Sequence, residues 1–193
     1  MHFSRNLHTM SSSCIHIPFS STQLFSKLIN DYVEGKGTAI DFVQYAPNVE
    51  GYQAAIEGRK LHPIDRGLLV EVLTAQYANM DPKAAVQQHI ELLKSDETFV
   101  VTTAHQPNLF SGPLYFFYKI IHAIQLAASL KKQFPQYNFV PVYYMGSEDA
   151  DLDEVGAFNL DATRYQWSTK QTGAIGRMQV DDALLKLIQQ LEG

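Results

Sequence analysis

His105, Gln106 and Asn108 stand together in the run AHQPN, with Ser111 and Gly112 following in SGP. An imidazole in such a turn can donate a hydrogen bond to a phosphate or carboxylate oxygen. Free backbone N–H groups at the start of a following helix, around Ser111 to Leu114, would assist it. An isolated turn histidine more often bonds only its own backbone, but this turn is richer in polar side chains than a connector requires. A second run, SEDADLDE at 147–154, crowds the carboxylates of Glu148, Asp149, Asp151, Asp153 and Glu154 together. Crowding of that kind is unfavourable unless water solvates it or a cation relieves it, and the cation would be Mg²⁺ or a substrate ammonium. A solvated loop is the usual outcome for a charge run; a place directly after a buried strand favours function, chiefly for Glu148 and Asp149. An EF-hand does not fit, because the sixth position of the run from Asp149 is Glu154 rather than Gly and the twelfth is Leu160 rather than Glu.

The elements around these runs explain why both matter. FVVTT (99–103) and NFVPVYYM (138–145) are β-prone, and the stretch between them predicts one helix from Pro113 to Leu130. Ser111 is the expected N-cap, Gly112 allows a tight approach, and Pro113 sits in the first turn. Apolar residues cover most of the helix circumference, leaving a polar stripe of Tyr115, Lys119, His122, Gln125 and Ser129, so the helix is expected to be largely buried against a sheet. Tyr115 and Lys119, in the first turns, can reach an anionic ligand; His122 and Gln125 read as solvent-facing. Strand, helix and strand in this order make a parallel βαβ unit, and ligands bind outside the carboxyl ends of such strands. Both polar runs lie at those ends.

The rest of the chain is mostly helical before residue 98. IHIPF (15–19) is extended; a helix over 22–35, capped by Ser20 or Ser21, stops at Gly35 and Gly37; a linker runs to Pro47. Weaker helical character spans 49–60 and a strong pattern spans 64–80, after which Asp81 caps another helix with Pro82 in its first turn. Past the acidic run, VGAFNL (155–160), RYQW (164–167) and GRMQV (176–180) read as short strands of the same sheet, and Asp181 or Asp182 caps a last helix. The expected architecture is α/β: residues 1–9 an upstream extension, 10–97 a mostly helical segment, and 98–193 a parallel βαβ core that is incomplete at its C-terminal end.

Composition narrows the function classes. A hydrophobic fraction of 46% supports a folded core, and a net charge of −5 without a dense Lys/Arg run argues against nucleic acid or an anionic membrane as the main partner. The one cysteine, Cys14, cannot form an intrachain disulfide and fits a reducing cytoplasm; without a paired His it is weak as a nucleophile. No GxGxxG, Walker A or zinc-ligand spacing occurs, and the glycines of GAIGRM (173–178) follow no strong strand. A metal-dependent hydrolase using the acidic run would lack its expected His ligands.

Three runs taken together, HQPNLFSGPLYFFYKIIHAIQLA, PVYYMGSEDADLDEVGAF and TGAIGRM, resemble the BshC family, the cysteine ligases of bacillithiol biosynthesis. The opening IHIPFSSTQLFSKLINDYV resembles the start of that family, so the likeness covers Met10 to Gly193. It implies a Rossmann-like core within a longer, truncated chain whose C-terminal coiled coil, absent here, forms a homodimer. The implied reaction joins L-cysteine to glucosaminyl malate through an amide between the cysteine carboxyl and the sugar amine. ATP is the usual means of carboxyl activation, with Mg²⁺ its companion, although HQPN departs from the HxGH pattern of the similar nucleotidyltransferases. On this reading His105, Glu148 and Asp149 are catalytic. Gln106, Asn108, Ser111, Gly112, Tyr115, Lys119 and Asp151 bind substrate, with no dedicated metal ligands. His105, Lys119 and the helix start face a phosphate or the malate carboxylates; Glu148 and Asp149 face the cysteine ammonium or Mg²⁺. The alternatives are a non-catalytic fragment and a module that binds a sugar or nucleotide without turnover.

Overall fold

The computed structural model describes residues 15–149 and 151–191; the expected extension at 1–9 and Cys14 lie outside the described residues. Two compact units divide the chain after Leu61. The first holds α1 (Phe19–Thr22), α2 (Lys27–Val33), a 3-10 turn over Gly37–Phe42 and α3 (Val49–Lys60). The single helix expected over 22–35 is broken, because Gln23 takes a left-handed φ of 56° and Ser26, rather than Ser20 or Ser21, caps α2 by accepting from the Ile29 N–H. Gly35 and Gly37 end it as the sequence suggests, at φ 65° and 68°. Asn48 caps α3, its Oδ1 accepting from the Gly51 N–H at 2.8 Å.

The second unit contains α4 (Arg66–Tyr77), α5 (Ala84–Leu92), β1 (Thr98–His105), α6 (Leu114–Gln133), β2 (Asn138–Met145), α7 (Leu152–Val155), β3 (Ala157–Leu160), β4 (Thr163–Gln166) and α8 (Asp182–Gln189). β1 and β2 pair in parallel, in register from Thr98 opposite Asn138 to His105 opposite Met145. Side chains alternate between the faces of such a pair, and here each face has its own helices. Val140 and Val142 of β2 point to one side, where they pack with Val70 of α4, Leu93 and their neighbours Leu69, Leu73 and Ile90. Phe139 and Tyr143 point to the other, meeting Phe134 and Phe116 at ring separations of 6.5 and 5.6 Å. The sheet therefore lies between α4–α5 and α6, with α4 and α5 belonging to the βαβ core rather than to the helices before them. Arg66 secures that layer: its guanidinium donates to the carbonyls of Leu93 (3.0 Å) and Thr98 (3.1 Å) and pairs with Asp96. α5 begins at Ala84, so Asp81 and Pro82 form the turn before it instead of its cap.

Three further expectations are corrected. α6 is not largely buried: Ala123, Ala127 and Leu130 are enclosed, but Leu114 is 67% exposed, Tyr118 66% and Ile121 53%. The reason is geometric, since two strands about 4.8 Å apart are narrower than a helix of about 10 Å and cover only one side of it. The opposite face of β1 is likewise open, Val100 being 51% exposed. Next, β3 and β4 do not extend the sheet; they form a separate antiparallel hairpin with Ala157 opposite Gln166 and Leu160 opposite Thr163. Last, GRMQV makes no strand, and its start falls in a 3-10 turn over Ile175–Arg177.

A second core lies beneath the hairpin, where Trp167, Leu184 and Leu187 are buried against Leu109, Leu152, Phe158, Tyr165 and Met178. Asp181 holds it at one point, as expected for the cap of α8, and does more than cap. Oδ1 accepts from Trp167 Nε1–H (2.8 Å) and the Leu184 N–H (3.0 Å), and Oδ2 from the Thr169 hydroxyl (2.6 Å). These donors, Thr169 foremost, hold its carboxyl far below the usual carboxylate range. A folded-state pKa lowered in this way gives stability that is present above the unfolded value of about 4 and lost as pH falls below it. Thermal denaturation of wild type and Asp181→Asn is therefore expected to show a gap in Tm at neutral pH that narrows in acid; a gap independent of pH would refute the assignment.

Among the described residues no helix is long and apolar enough to cross a membrane.

Candidate functional site

The carboxyl ends of β1 and β2 are locked together before any loop begins. The carbonyl of His105 accepts from the Gly146 N–H and from the Tyr143 hydroxyl, both at 3.0 Å. Burial of that hydroxyl raises the Tyr143 pKa. Lys119, one helical turn beyond Tyr115, donates Nζ–H to the Ala104 carbonyl and so carries its charge to the end of β1.

From these strand ends the two polar runs converge. Gln106 Nε2 donates to Asp149 Oδ2 at 2.8 Å, joining the turn after β1 to the acidic loop after β2. His105 turns inward, its side chain 8% exposed, with both ring nitrogens occupied. Nδ1 faces the Asn108 amide nitrogen at 3.0 Å and the Gln106 carbonyl at 3.1 Å, and Nε2 faces the Tyr115 hydroxyl at 2.7 Å. That hydroxyl donates in turn to Glu154 Oε1 at 3.0 Å. Enclosure of the hydroxyl end, and secondarily the Glu154 carboxylate, raises the Tyr115 pKa, although the residue as a whole is 43% exposed. Glu148 takes a hydrogen bond from the Tyr144 hydroxyl at 2.9 Å, which lifts the pKa of that tyrosine.

Not every expected residue joins this network. Ser111 does not cap α6; the helix starts at Leu114 behind Pro113 with no side-chain cap, and Ser111 lies in a 3-10 turn at φ 71°. Asp151 contributes its carbonyl, accepting from the Glu154 and Val155 N–H groups, and so starts α7 and aims Glu154. Gly112 is needed structurally: at φ 61° a Cβ there would lie 2.7 Å from Asn108 Cγ. Gly112→Ala is expected to cost at least about 1–3 kcal/mol, the usual scale of such backbone strain. Urea denaturation followed by circular dichroism reads this out, and an unchanged midpoint would contradict it.

The five acidic side chains do not gather. Glu148, Asp149 and Glu154 each bond a different partner, and among the described residues no three His, Cys, Asp or Glu side chains converge to hold a metal ion. The set does not fit Mg²⁺ as a resident ligand cage. Each carboxylate singly can instead accept from a ligand that brings its own hydrogen-bond donors, such as an ammonium.

Two participants escape the sequence reading. Glu154 stands out only as one of five acids, and its partner Tyr115 is far away in the chain. The other is GAIGRM, whose glycines suggested nothing; the Gly176 N–H donates to the Ser147 carbonyl and the Ile175 N–H to the Asp149 carbonyl, both at 2.8 Å. A Cβ on Gly176 would lie 2.6 Å from Ser147 Cβ, so this glycine lets the segment press against the acidic loop. Its signal in the sequence was a glycine with no turn to explain it.

The chain is similar to proteins named "Putative cysteine ligase BshC". It is 40% identical to that of Flavobacterium psychrophilum over 173 residues, covering 88% of this chain and 32% of the relative. The Flavobacterium johnsoniae protein is 40% identical over 174 residues, covering 89% and 32%. That of Cytophaga hutchinsonii is 41% identical over 161 residues, covering 83% and 31%. The chain thus spans about a third of the length of the curated relatives it matches. Residues 10–193 match the family described as bacillithiol biosynthesis BshC, N-terminal Rossmann-like domain. A parallel βαβ unit with helices on both faces and polar groups gathered at its strand ends is that domain's architecture as this sequence builds it, and the chain belongs to the BshC family.

Proposed function

We propose that this domain serves a cysteine ligase that forms bacillithiol from L-cysteine and glucosaminyl malate. The observation that carries the reading is the Gln106–Asp149 hydrogen bond, which ties the two polar runs into one site at the carboxyl ends of a parallel strand pair. The names of the relatives support the reaction class. On this reading Glu148 and Asp149 accept the ammonium of cysteine. The turn of Gln106 and Gly112, which Asn108 braces from within, faces the carboxylates of the second substrate with the charge of Lys119 beside it. The amine of that substrate attacks the cysteine carboxyl once it is activated. ATP is the proposed source of activation, and no residue is assigned to it.

The rest of the proposal rests on the family resemblance and on composition. The substrates are small molecules rather than nucleic acid or membrane, the setting is the cytoplasm, and the longer protein dimerises through a coiled coil outside these residues. A net charge of −5 and a lone cysteine accord with that setting.

Deleting the gene from its host and measuring low-molecular-weight thiols by mass spectrometry tests the reading. Loss of bacillithiol, accumulation of glucosaminyl malate and recovery on return of the gene are the expected results. Unchanged thiols would overturn the ligase assignment and leave a non-catalytic fragment or a domain that binds without turnover.

A further inference from the structure

We propose that Tyr115 and Glu154 form an acceptor pair for a primary amine of the ligand, and that His105 is a positioning residue which sets their protons from behind. The inference rests on the reading of this site as the one that binds substrate, and it places the amine contact one layer outside the histidine.

The argument is a count of protons. The Tyr115 hydroxyl has one, and it goes to Glu154 Oε1 at 3.0 Å. The same oxygen lies 2.7 Å from His105 Nε2, so there it must accept, and Nε2 must carry hydrogen. Nδ1 of a neutral ring is then bare and accepts from Asn108 Nδ2 at 3.0 Å, whose second hydrogen goes to the Gln106 carbonyl at 3.3 Å. Every donor in the relay then has one acceptor, with the bare Nδ1 left 3.1 Å from the Gln106 carbonyl oxygen and the Asn108 amide donating to both. With Nδ1 bare, turning the Asn108 amide over would set its oxygen against that nitrogen and the Gln106 carbonyl, so this tautomer and this amide orientation go together.

That orientation has a cost. Asn108 Oδ1 is left buried with no hydrogen-bond partner, against Gly112. An unsatisfied buried acceptor typically costs about 1–3 kcal/mol. The arrangement leaves that acceptor unpaired and keeps the donor on His105 Nε2.

What the relay presents outward is acceptors. With its proton committed to Glu154, the Tyr115 oxygen has a remaining lone pair, and Glu154, 47% exposed at its side chain, has its second carboxylate oxygen. His105, 8% exposed, with Nε2 donating to Tyr115 and Nδ1 accepting from Asn108, has none to offer. Glu148 and Asp149 lie on the same acidic run, so the surroundings favour a cationic or N–H-rich group over an anion. An amine donates what this pair accepts, whereas a phosphate or carboxylate would meet oxygens.

Nitrogen NMR of the 193-residue chain labelled with 15N-histidine tests this without any ligation assay. The His105 signals are assigned by their loss in His105→Gln, and retained amide dispersion certifies each variant as folded. The expected ring shows a protonated Nε2 and a bare Nδ1, a state weakened in Tyr115→Phe and Glu154→Ala and kept in Glu154→Gln, whose amide oxygen still accepts. D-glucosamine is expected to shift the Nε2 signal, and N-acetyl-D-glucosamine, which lacks the basic amine, is not. A protonated Nδ1 with bare Nε2, or a ring unaffected by Tyr115→Phe, overturns the relay; equal response or no response to the two sugars overturns the amine assignment. Neither result bears on the thiol measurement, so failure here and failure of the ligase reading are told apart.

Discussion

Exchange of His105 for alanine is expected to lower cysteine ligation by about 10²-fold, the lower end of what a positioned proton-handling group contributes. The residue is buried, so the loss comes through its neighbour. Without Nε2–H the Tyr115 hydroxyl can turn its proton away from Glu154, and the acceptor pair is no longer held in one state. The loss should fall on kcat more than on the KM for cysteine, whose ammonium is assigned to Glu148 and Asp149. In the host, an add-back carrying His105→Ala should leave glucosaminyl malate elevated while the unmutated gene restores the thiol. Full restoration by the His105→Ala copy would remove this residue from the reaction.

The largest effect on stability is expected at Trp167. It is buried with Leu184 and Leu187, and its Nε1–H holds Asp181. Trp167→Ala is expected to destabilise the unit by about 3–5 kcal/mol, the range for removal of a large aromatic from a packed core. Trp167→Phe keeps most of the packing and loses the donor, so it should cost much less. Because Trp167 is the only tryptophan, its fluorescence follows this core in the wild type, whereas the variants need circular dichroism. Equal urea midpoints for the two variants would show that the hydrogen bond, and not the packing, dominates.

Local signals carried much of the fold. NFVPVYYM coincides with β2, FVVTT lies inside β1, and the Asp181 cap and Gly35 stop fall where short-range chemistry puts them. What was illegible depends on width and distance. Apolar coverage around α6 says that the helix can be buried, but the number of strands beneath it decides how much is. The caps at Ser111 and Asp81 failed because each side chain lies outside the first turn of the helix that forms. Helices α4 and α5 were read correctly as helices, yet their place against the sheet rests on Val70 and Leu93 meeting Val140, contacts without a local signature.

The site divides in the same way. That AHQPN and SEDADLDE approach each other was legible, because strand ends and turn residues say where a parallel pair collects its polar groups. The burial of His105 was not, since it depends on the register that sets it on the α6 side of β1, near Phe116. Nor was the Tyr115–Glu154 pair, whose members are 39 residues apart in sequence.

The parallel pairing of β1 with β2 also bears on how the chain folds. Partners such as Thr98 and Asn138 are separated by an entire helix, so their hydrogen bonds cannot nucleate locally as those of the β3–β4 hairpin can. Closing such a loop is paid in chain entropy before any contact rewards it, which makes this step slow relative to helix formation. The turn after β1 and the loop after β2 come together in that same step, so the Gln106–Asp149 bond reports on a late event. Refolding kinetics followed at the strand ends should therefore lag behind the far-ultraviolet signal of the helices.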